Sequence, residues 1–98
     1  PDKRIQPLAQ NWVFDRAFIK HWLGPTSFYN HFDGRYRDTM STALYLNDKA
    51  DLRVEEIPFP KVKLSYLCSQ LKVEYDRKHS SLSDCMATAQ VYKEMMGV

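Results

Sequence analysis

The sequence predicts a small α/β domain in which two short strands are combined with amphipathic helices. Residues 8–13 form an apolar run of strand length, and residues 36–38 are typical of a second short strand. Later in the chain, apolar side chains recur with the i, i+3, i+4, i+7 spacing of a helix, at Leu64, Leu67, Cys68 and Leu71. The expected order of elements is therefore strand, helix, strand, helix, helix, helix.

The region between the two strands is predicted to contain one helix and one loop. Apolar side chains recur at helical spacing directly after the first strand, at Phe14, Phe18, Ile19 and Trp22. Asp15 therefore lies where the strand gives way to the helix. Gly24 and Pro25 end this helix, because proline cannot continue the hydrogen-bond ladder. Residues 26–34 are expected to form an aromatic loop that covers the core, although its rings could also stack on nucleobases.

Three further helices are predicted after the second strand. Asp38 or Thr39 caps the first, Asn47 is expected to end it, and residues 49–61 are expected to form a connector. The last helix follows a serine N-cap at position 80 or 81. Its buried stripe is expected to comprise Leu82, Cys85, Met86, Ala89, Val91 or Tyr92, and Met96.

Composition and charge narrow the class of protein. A chain of 98 residues with 44% hydrophobic residues suits one small domain with a single core. Its net charge of +2 is too small to identify a nucleic-acid binder by its field. No apolar run is long enough to cross a bilayer, so no membrane partner is expected. Cys68 and Cys85 are expected to be buried free thiols, which favours a reducing, cytoplasmic location.

The segment from His79 to Ala89 places a proton acceptor and a carboxylate five positions apart at the start of the last helix. Histidine changes its charge close to neutral pH, and carboxylates hold hard divalent ions. Taken alone, His79 is equally well explained as a surface residue before a helix cap. Asp15 has a structural alternative as a first-turn charge that the helix dipole favours. Asp38 is interpreted as a helix cap and not as a metal ligand.

Three stretches resemble motifs of one enzyme family, in the order that the family shows them. Residues 11–19 resemble a motif with Asn, then Phe-Asp, then an apolar pair, and residues 37–40 resemble the Asp-Thr after the next strand. Residues 79–89 resemble a third motif, His-x-Ala-Leu-x-Asp-Ala. Together they resemble the C-terminal part of a DEDDh (DnaQ-like) 3′–5′ exonuclease, the family of the proofreading subunit of bacterial DNA polymerase III.

This resemblance implies a ribonuclease-H-like α/β fold, of which the chain would contain the last two strands and the following helices. It implies a metal-dependent enzyme that removes nucleotides from the 3′ ends of single-stranded DNA or RNA with two Mg²⁺ or Mn²⁺ ions. Asp84 would bind the metal that carries the attacking water, Asp15 would help to hold the second metal, and His79 would be the general base. A polymerase or another replication protein is the implied partner.

The chain departs from the family pattern at the first exonuclease motif. No Asp-x-Glu is present, and Gln10 stands where a histidine often precedes the second motif. Residues 1–98 are therefore expected to be a partial exonuclease domain that is inactive alone. Two alternatives stay open: a non-catalytic nucleic-acid or protein binding module derived from the same fold, or a site completed by a second chain that supplies the missing half.

Overall fold

The computed structural model describes residues 3–76 and 80–98, which form two short parallel strands and five helices. Leu8 pairs with Arg37 and Ala9 with Asp38. The predicted order of elements is confirmed, with one additional helix before the second strand. The elements are β1 (Leu8–Ala9), α1 (Trp12–Leu23), α2 (Pro25–His31), β2 (Arg37–Asp38), α3 (Thr39–Leu52), α4 (Leu64–Leu71) and α5 (Ser81–Met95).

The first strand is shorter than predicted, because the chain turns into α1 at Trp12. Asn11 adopts a left-handed conformation with φ 68°, and its side chain makes no cap hydrogen bond. The Asp38 carboxylate instead accepts hydrogen bonds from the backbone N–H groups of Asn11 and Trp12. It also accepts one from Met40 N–H at 2.9 Å, as the predicted cap of α3. One buried carboxylate thus caps two helices.

The prediction of a loop over residues 26–34 was wrong, because Pro25–His31 forms helix α2. Gly24 ends α1 as predicted, with φ 84°, a value that glycine adopts without strain. The Gly24 carbonyl then accepts a hydrogen bond from Phe28 N–H and begins the next helix. Pro25 occupies the first position of α2, where its missing N–H costs nothing. The Gly-Pro pair therefore joins two helices.

Aromatic rings form a small core between α1 and α2. Phe28 is buried and stacks on Phe32 with ring centroids 5.0 Å apart. The Trp12 ring lies 5.8 Å from Phe32 and is also buried. The expectation that these aromatic residues cover a core is confirmed for Phe28, whereas Tyr29 and Tyr36 remain exposed.

Helix α3 continues past Asn47, where it was expected to end. The Asn47 side chain is buried and donates a hydrogen bond to the Phe59 carbonyl at 2.7 Å. Its Oδ1 atom accepts one from Phe59 N–H at 2.9 Å. Asn47 therefore acts inside the helix as a bridge to the connector, and this bridge holds the buried Phe59 ring in the core.

The main core lies between α3, α4 and α5. The buried stripe of α5 lies on a different face from the predicted one. Val91 is buried as predicted, whereas Ala89 and Met96 are exposed. Leu82, Cys85 and Met86 are exposed, so the prediction that Cys85 is a core thiol was wrong, while Cys68 is buried as expected. Apolar side chains occur on more than one face of α5, so their spacing alone did not determine which face is buried. The core cluster comprises Ala43, Leu46, Phe59, Leu67, Cys68, Ala87, Val91 and Met95.

One face of α1 carries large apolar side chains in contact with solvent. Phe14, Phe18 and Trp22 follow one another at i, i+4, i+8 and are 61%, 67% and 82% exposed. The Phe14 and Phe18 rings contact each other, with centroids 5.6 Å apart. In the described part of the chain, no helix combines the length and the apolar character needed to cross a bilayer.

Candidate active site

Asp15 and Asp84 line one pocket of about 460 Å³, although they are far apart in sequence. Asp15 lies in the first turn of α1, and Asp84 lies in the first turn of α5. Helix α5 packs against β1, which precedes α1, and this packing brings the two helix starts together. The other residues that line the pocket are Leu8, Ala9, Gln10, Leu64, Tyr75, Ser81, Cys85 and Thr88.

Asp84 is positioned by the start of α5 and by Tyr75. The Ser80 side chain caps α5, as predicted, by accepting a hydrogen bond from Ser83 N–H at 3.1 Å. The Tyr75 hydroxyl donates a hydrogen bond to Asp84 Oδ1 at 2.9 Å. This hydrogen bond, together with partial burial, raises the pKa of Tyr75. The carboxylate of Asp84 is thus held in a defined orientation at the pocket wall.

Asp15 is half-buried, and its environment disfavours the ionised form. Burial raises the pKa of Asp15, and the nearby charge of Asp38 raises it further. Binding of a cation in the pocket would offset both effects, because it would restore favourable interactions to the carboxylate. Carboxylates whose pKa is raised by burial and by a like charge are frequent at functional sites, although structural charge networks show them too.

Replacing Asp15 with Asn is expected to stabilise the fold at neutral pH. The folded state raises the pKa of Asp15 above its ordinary value of 3.8. The parent protein therefore loses stability as the pH rises from about 3.8 through the pKa of Asp15 in the folded state, because the unfolded chain ionises more readily. The variant lacks this loss, so its melting temperature should exceed that of the parent at pH 7. The difference should disappear well below pH 3.8, where the carboxyl is protonated in both the folded and the unfolded state. Thermal unfolding followed by circular dichroism measures this, with the exposed Asp48→Asn as control.

Gln10 forms part of the same pocket and is fixed by hydrogen bonds. Its amide nitrogen donates to the Val62 carbonyl at 2.7 Å, and its Oε1 atom accepts from the Thr39 hydroxyl. The side chain therefore ties β1 to the start of α3 and to the connector before α4. In this position Gln10 shapes the pocket and is not available as a proton acceptor.

The histidines contribute no described side chain to this pocket. His79, the predicted general base, lies outside the residues that the structure describes. His21 and His31 are exposed, as expected, and neither lines the pocket. Cys85 does line it, although the sequence was interpreted as burying this thiol in the core.

The described residues do not by themselves fit a site for two divalent ions. Asp15 and Asp84 provide hard oxygen ligands on one pocket, and such ligands suit Mg²⁺ or Mn²⁺. Among residues 3–76 and 80–98, however, no three His, Cys, Asp or Glu side chains come together in an arrangement that could hold a metal ion. Further ligands are therefore required before a metal is held here.

Comparison of the chain with protein families, with curated proteins and with solved structures finds no match.

Sequence reasoning identified the two carboxylates of the pocket but not the residues around them. Tyr75 lies between α4 and α5, and nothing in its spacing signals a contact with Asp84. Gln10 was noticed only as a departure from a motif. Cys85 follows Asp84 on α5 and lines the same pocket, but no pattern in the sequence distinguishes its position from a buried one.

Proposed function

We propose that this chain is the C-terminal part of a metal-dependent 3′–5′ exonuclease domain with a ribonuclease-H-like fold. The observation that supports the proposal most strongly is the shared pocket of Asp15 and Asp84. These two residues were singled out from separate motifs, and they come from opposite ends of the chain. A chance resemblance in the sequence gives no reason for the two carboxylates to line one pocket.

The residues of this chain have distinct parts in the proposal. Asp15 and Asp84 provide two of the carboxylates that hold Mg²⁺ or Mn²⁺, and Tyr75 orients Asp84. His79 keeps its proposed role as the base that accepts a proton from water. The ions, when bound, supply charge stabilisation at the scissile phosphate. The remaining carboxylates must come from outside these 98 residues, because the sequence contains no Asp-x-Glu.

The proposal is tested by replacing Asp84 with Asn in the protein that the complete gene encodes. Degradation of a 5′-labelled single strand in Mg²⁺ should fall by at least about 100-fold, because the variant loses a charge that holds the metal. The change preserves the volume of the side chain and keeps an oxygen acceptor for the Tyr75 hydroxyl. The matched control is Asp51→Asn, which removes the same charge from an exposed position on α3.

Two results of this experiment would contradict the proposed function. Unchanged degradation by Asp84→Asn contradicts the proposed function. An equal loss in Asp51→Asn would mean that net charge, and not this pocket, controls the reaction. Strands of DNA and RNA with the same sequence, assayed in parallel, show which of them is the substrate.

A non-catalytic module of the same fold is the second candidate function. It is favoured by the absence of a three-ligand cluster among the described residues and of Asp-x-Glu in the sequence. Under this alternative the complete gene also lacks Asp-x-Glu, and the protein binds nucleic acid or a protein without hydrolysis. A second chain that supplies the missing carboxylates is the third arrangement. The purified 98-residue chain is inactive under all three. An Asp-x-Glu in the upstream sequence supports the first arrangement, and its absence supports the other two.

We also propose that the protein acts in the cytoplasm and alongside a polymerase or another replication protein. The free thiols of Cys68 and Cys85 support a reducing compartment. The polymerase partner rests on the family resemblance.

A further inference from the structure

Helices α1 and α2 bring cationic side chains together around Tyr29. Arg16 Nη2 and Lys20 Nζ each donate a hydrogen bond to the Tyr29 hydroxyl at 3.0 Å. Arg4 Nη1 donates to the backbone carbonyl of Tyr29 at 3.4 Å. We refer to Arg4, Arg16, Lys20 and Tyr29 as the basic patch.

The positive charges of Arg16 and Lys20 in the basic patch are not neutralised by nearby carboxylates. In the part of the chain that the structure describes, the ion pair is between Arg35 and Asp33, at 2.8 Å, and neither Arg16 nor Lys20 forms one. Asp33 lines a small pocket beside Arg16, but the Asp33 carboxylate is already paired with Arg35. The hydrogen bonds from Arg35, with a weaker contribution from Arg4, hold the pKa of Asp33 well below its ordinary value. The patch therefore keeps a net positive charge.

The cations of the patch lie against two aromatic rings, of which Tyr29 is exposed and Phe28 is buried. Lys20 Nζ is 5.0 Å from the centroid of the Tyr29 ring, and the Arg16 guanidinium is 5.4 Å from that of Phe28. The Tyr29 ring is 48% exposed. The hydrogen bond from Lys20, followed by its charge and the contacts of Arg16, lowers the pKa of Tyr29. A neutral phenol is a weaker acceptor than a phosphate oxygen, which would take over these two donors.

We infer that the basic patch binds the phosphates of a single-stranded nucleic acid next to the carboxylate pocket. Surfaces that combine cations with exposed rings bind single strands without sequence preference, because cations contact phosphates and rings stack on bases. Asp15 and Arg16 are consecutive residues of α1, so the pocket and the patch both begin at the start of this helix, on faces about 100° apart. This inference rests on the proposed function and names the part of the chain that holds the substrate.

The test measures binding in EDTA, so that no hydrolysis is needed. The protein from the complete gene is titrated into a 5′-fluorescein oligothymidylate of about 12 nucleotides, and fluorescence anisotropy is followed. Arg16→Gln/Lys20→Gln should weaken binding by roughly 10- to 30-fold near 0.1 M salt. The slope of log Kd against log salt should fall by about 1.4, because two phosphate contacts are lost.

The matched control removes two cations elsewhere. Lys61 and Lys93 are exposed and lie outside the patch, so Lys61→Gln/Lys93→Gln changes the net charge equally. We expect it to keep the parent slope and to change the affinity less than about threefold. Equal effects of the two double variants, or no effect of Arg16→Gln/Lys20→Gln, would overturn the inference.

Tyr29 gives an independent variant that leaves the charges in place. Tyr29→Ala should weaken binding at least about fivefold through lost stacking, whereas Tyr29→Phe should retain most of the affinity. This comparison decides the matter if the double variant does not fold. Polyglutamate that competes as well as oligothymidylate, at equal charge, would show a general polyanion surface and contradict the assignment.

The binding assay and the hydrolysis assay test the basic patch and the proposed function independently. If Asp84→Asn abolishes hydrolysis while Arg16→Gln/Lys20→Gln binds normally, the proposed function stands and the basic patch is wrong. If the patch variants lose binding while no preparation hydrolyses a strand, the basic patch stands and the enzyme assignment is wrong.

Discussion

Replacing Asp38 with Ala is expected to destabilise the fold by about 4 kcal/mol. Each lost helix cap costs roughly 1 kcal/mol, and the buried N–H of Trp12 left without an acceptor adds about 2 kcal/mol. The carboxylate accepts from three backbone N–H groups, of Asn11, Trp12 and Met40. Urea-induced unfolding followed by circular dichroism measures the loss, which is large beside the 5–15 kcal/mol that is typical of a domain.

Two comparison variants separate the capping role of Asp38 from its charge. Asp38→Asn keeps the oxygen that accepts from Asn11 and Met40 but turns an amide group toward Trp12, so an intermediate loss of about 2 kcal/mol is expected. Asp48→Ala, at an exposed position of α3, should stay within about 0.5 kcal/mol of the parent. A loss below 1 kcal/mol for Asp38→Ala would contradict the double cap.

Replacing Asn47 with Ala is expected to cost about 3 kcal/mol. The change removes both hydrogen bonds to Phe59 and leaves a buried N–H and a buried carbonyl without partners, each at roughly 1–3 kcal/mol. Alanine is the better helix former, which offsets only about 0.5 kcal/mol of this loss. Because Phe59 is fully buried between the helices, release of its backbone also loosens the packing of its ring.

Asn30→Ala is the matched control, since Asn30 is exposed on α2. It makes the same chemical change in a helix and should leave the free energy of unfolding within about 0.5 kcal/mol of the parent. If Asn47→Ala behaves like Asn30→Ala in urea unfolding, the bridge to Phe59 contributes nothing to stability. A lowered m-value in Asn47→Ala would instead show that the connector is already released in the folded state.

Local signals predicted those elements whose start or end depends on neighbouring residues. The Ser80 cap, the Asp38 cap of α3 and the end of α1 at Gly24 all follow from side chains within a few positions. The stripe of α4 was equally clear, because its apolar residues lie on one face, and Leu67 and Cys68 are buried as expected.

Contacts between distant parts of the chain account for what could not be predicted. The N-terminus of α1 is capped from β2 by Asp38, so nothing next to Trp12 signals a helix start. Asn47 resembles a helix end in sequence and is kept helical by its hydrogen bonds to Phe59. The phase of α5 depends on which face α3 and α4 cover, and its own sequence leaves this open.

Only those residues of the candidate site that belong to a recognisable motif could be predicted from the sequence. Asp15 and Asp84 were selected by resemblance, and their common pocket is a property of the packing of α5 against β1. Tyr75 contacts Asp84 from a segment without periodicity, so no pattern could have assigned it. The basic patch was equally hidden, because Arg16 and Tyr29 meet only when α1 and α2 fold together.

The two tryptophans of the chain occupy opposite environments, and this gives the protein two separate fluorescent reporters. Trp12 is 5% exposed and is enclosed by the rings of Phe28 and Phe32, so a dissolved quencher such as iodide cannot reach it until α1 and α2 unfold. Trp22 is 82% exposed and emits as an indole in water. A blue shift of Trp22 with Trp12 unchanged therefore records that something has covered the outer face of α1.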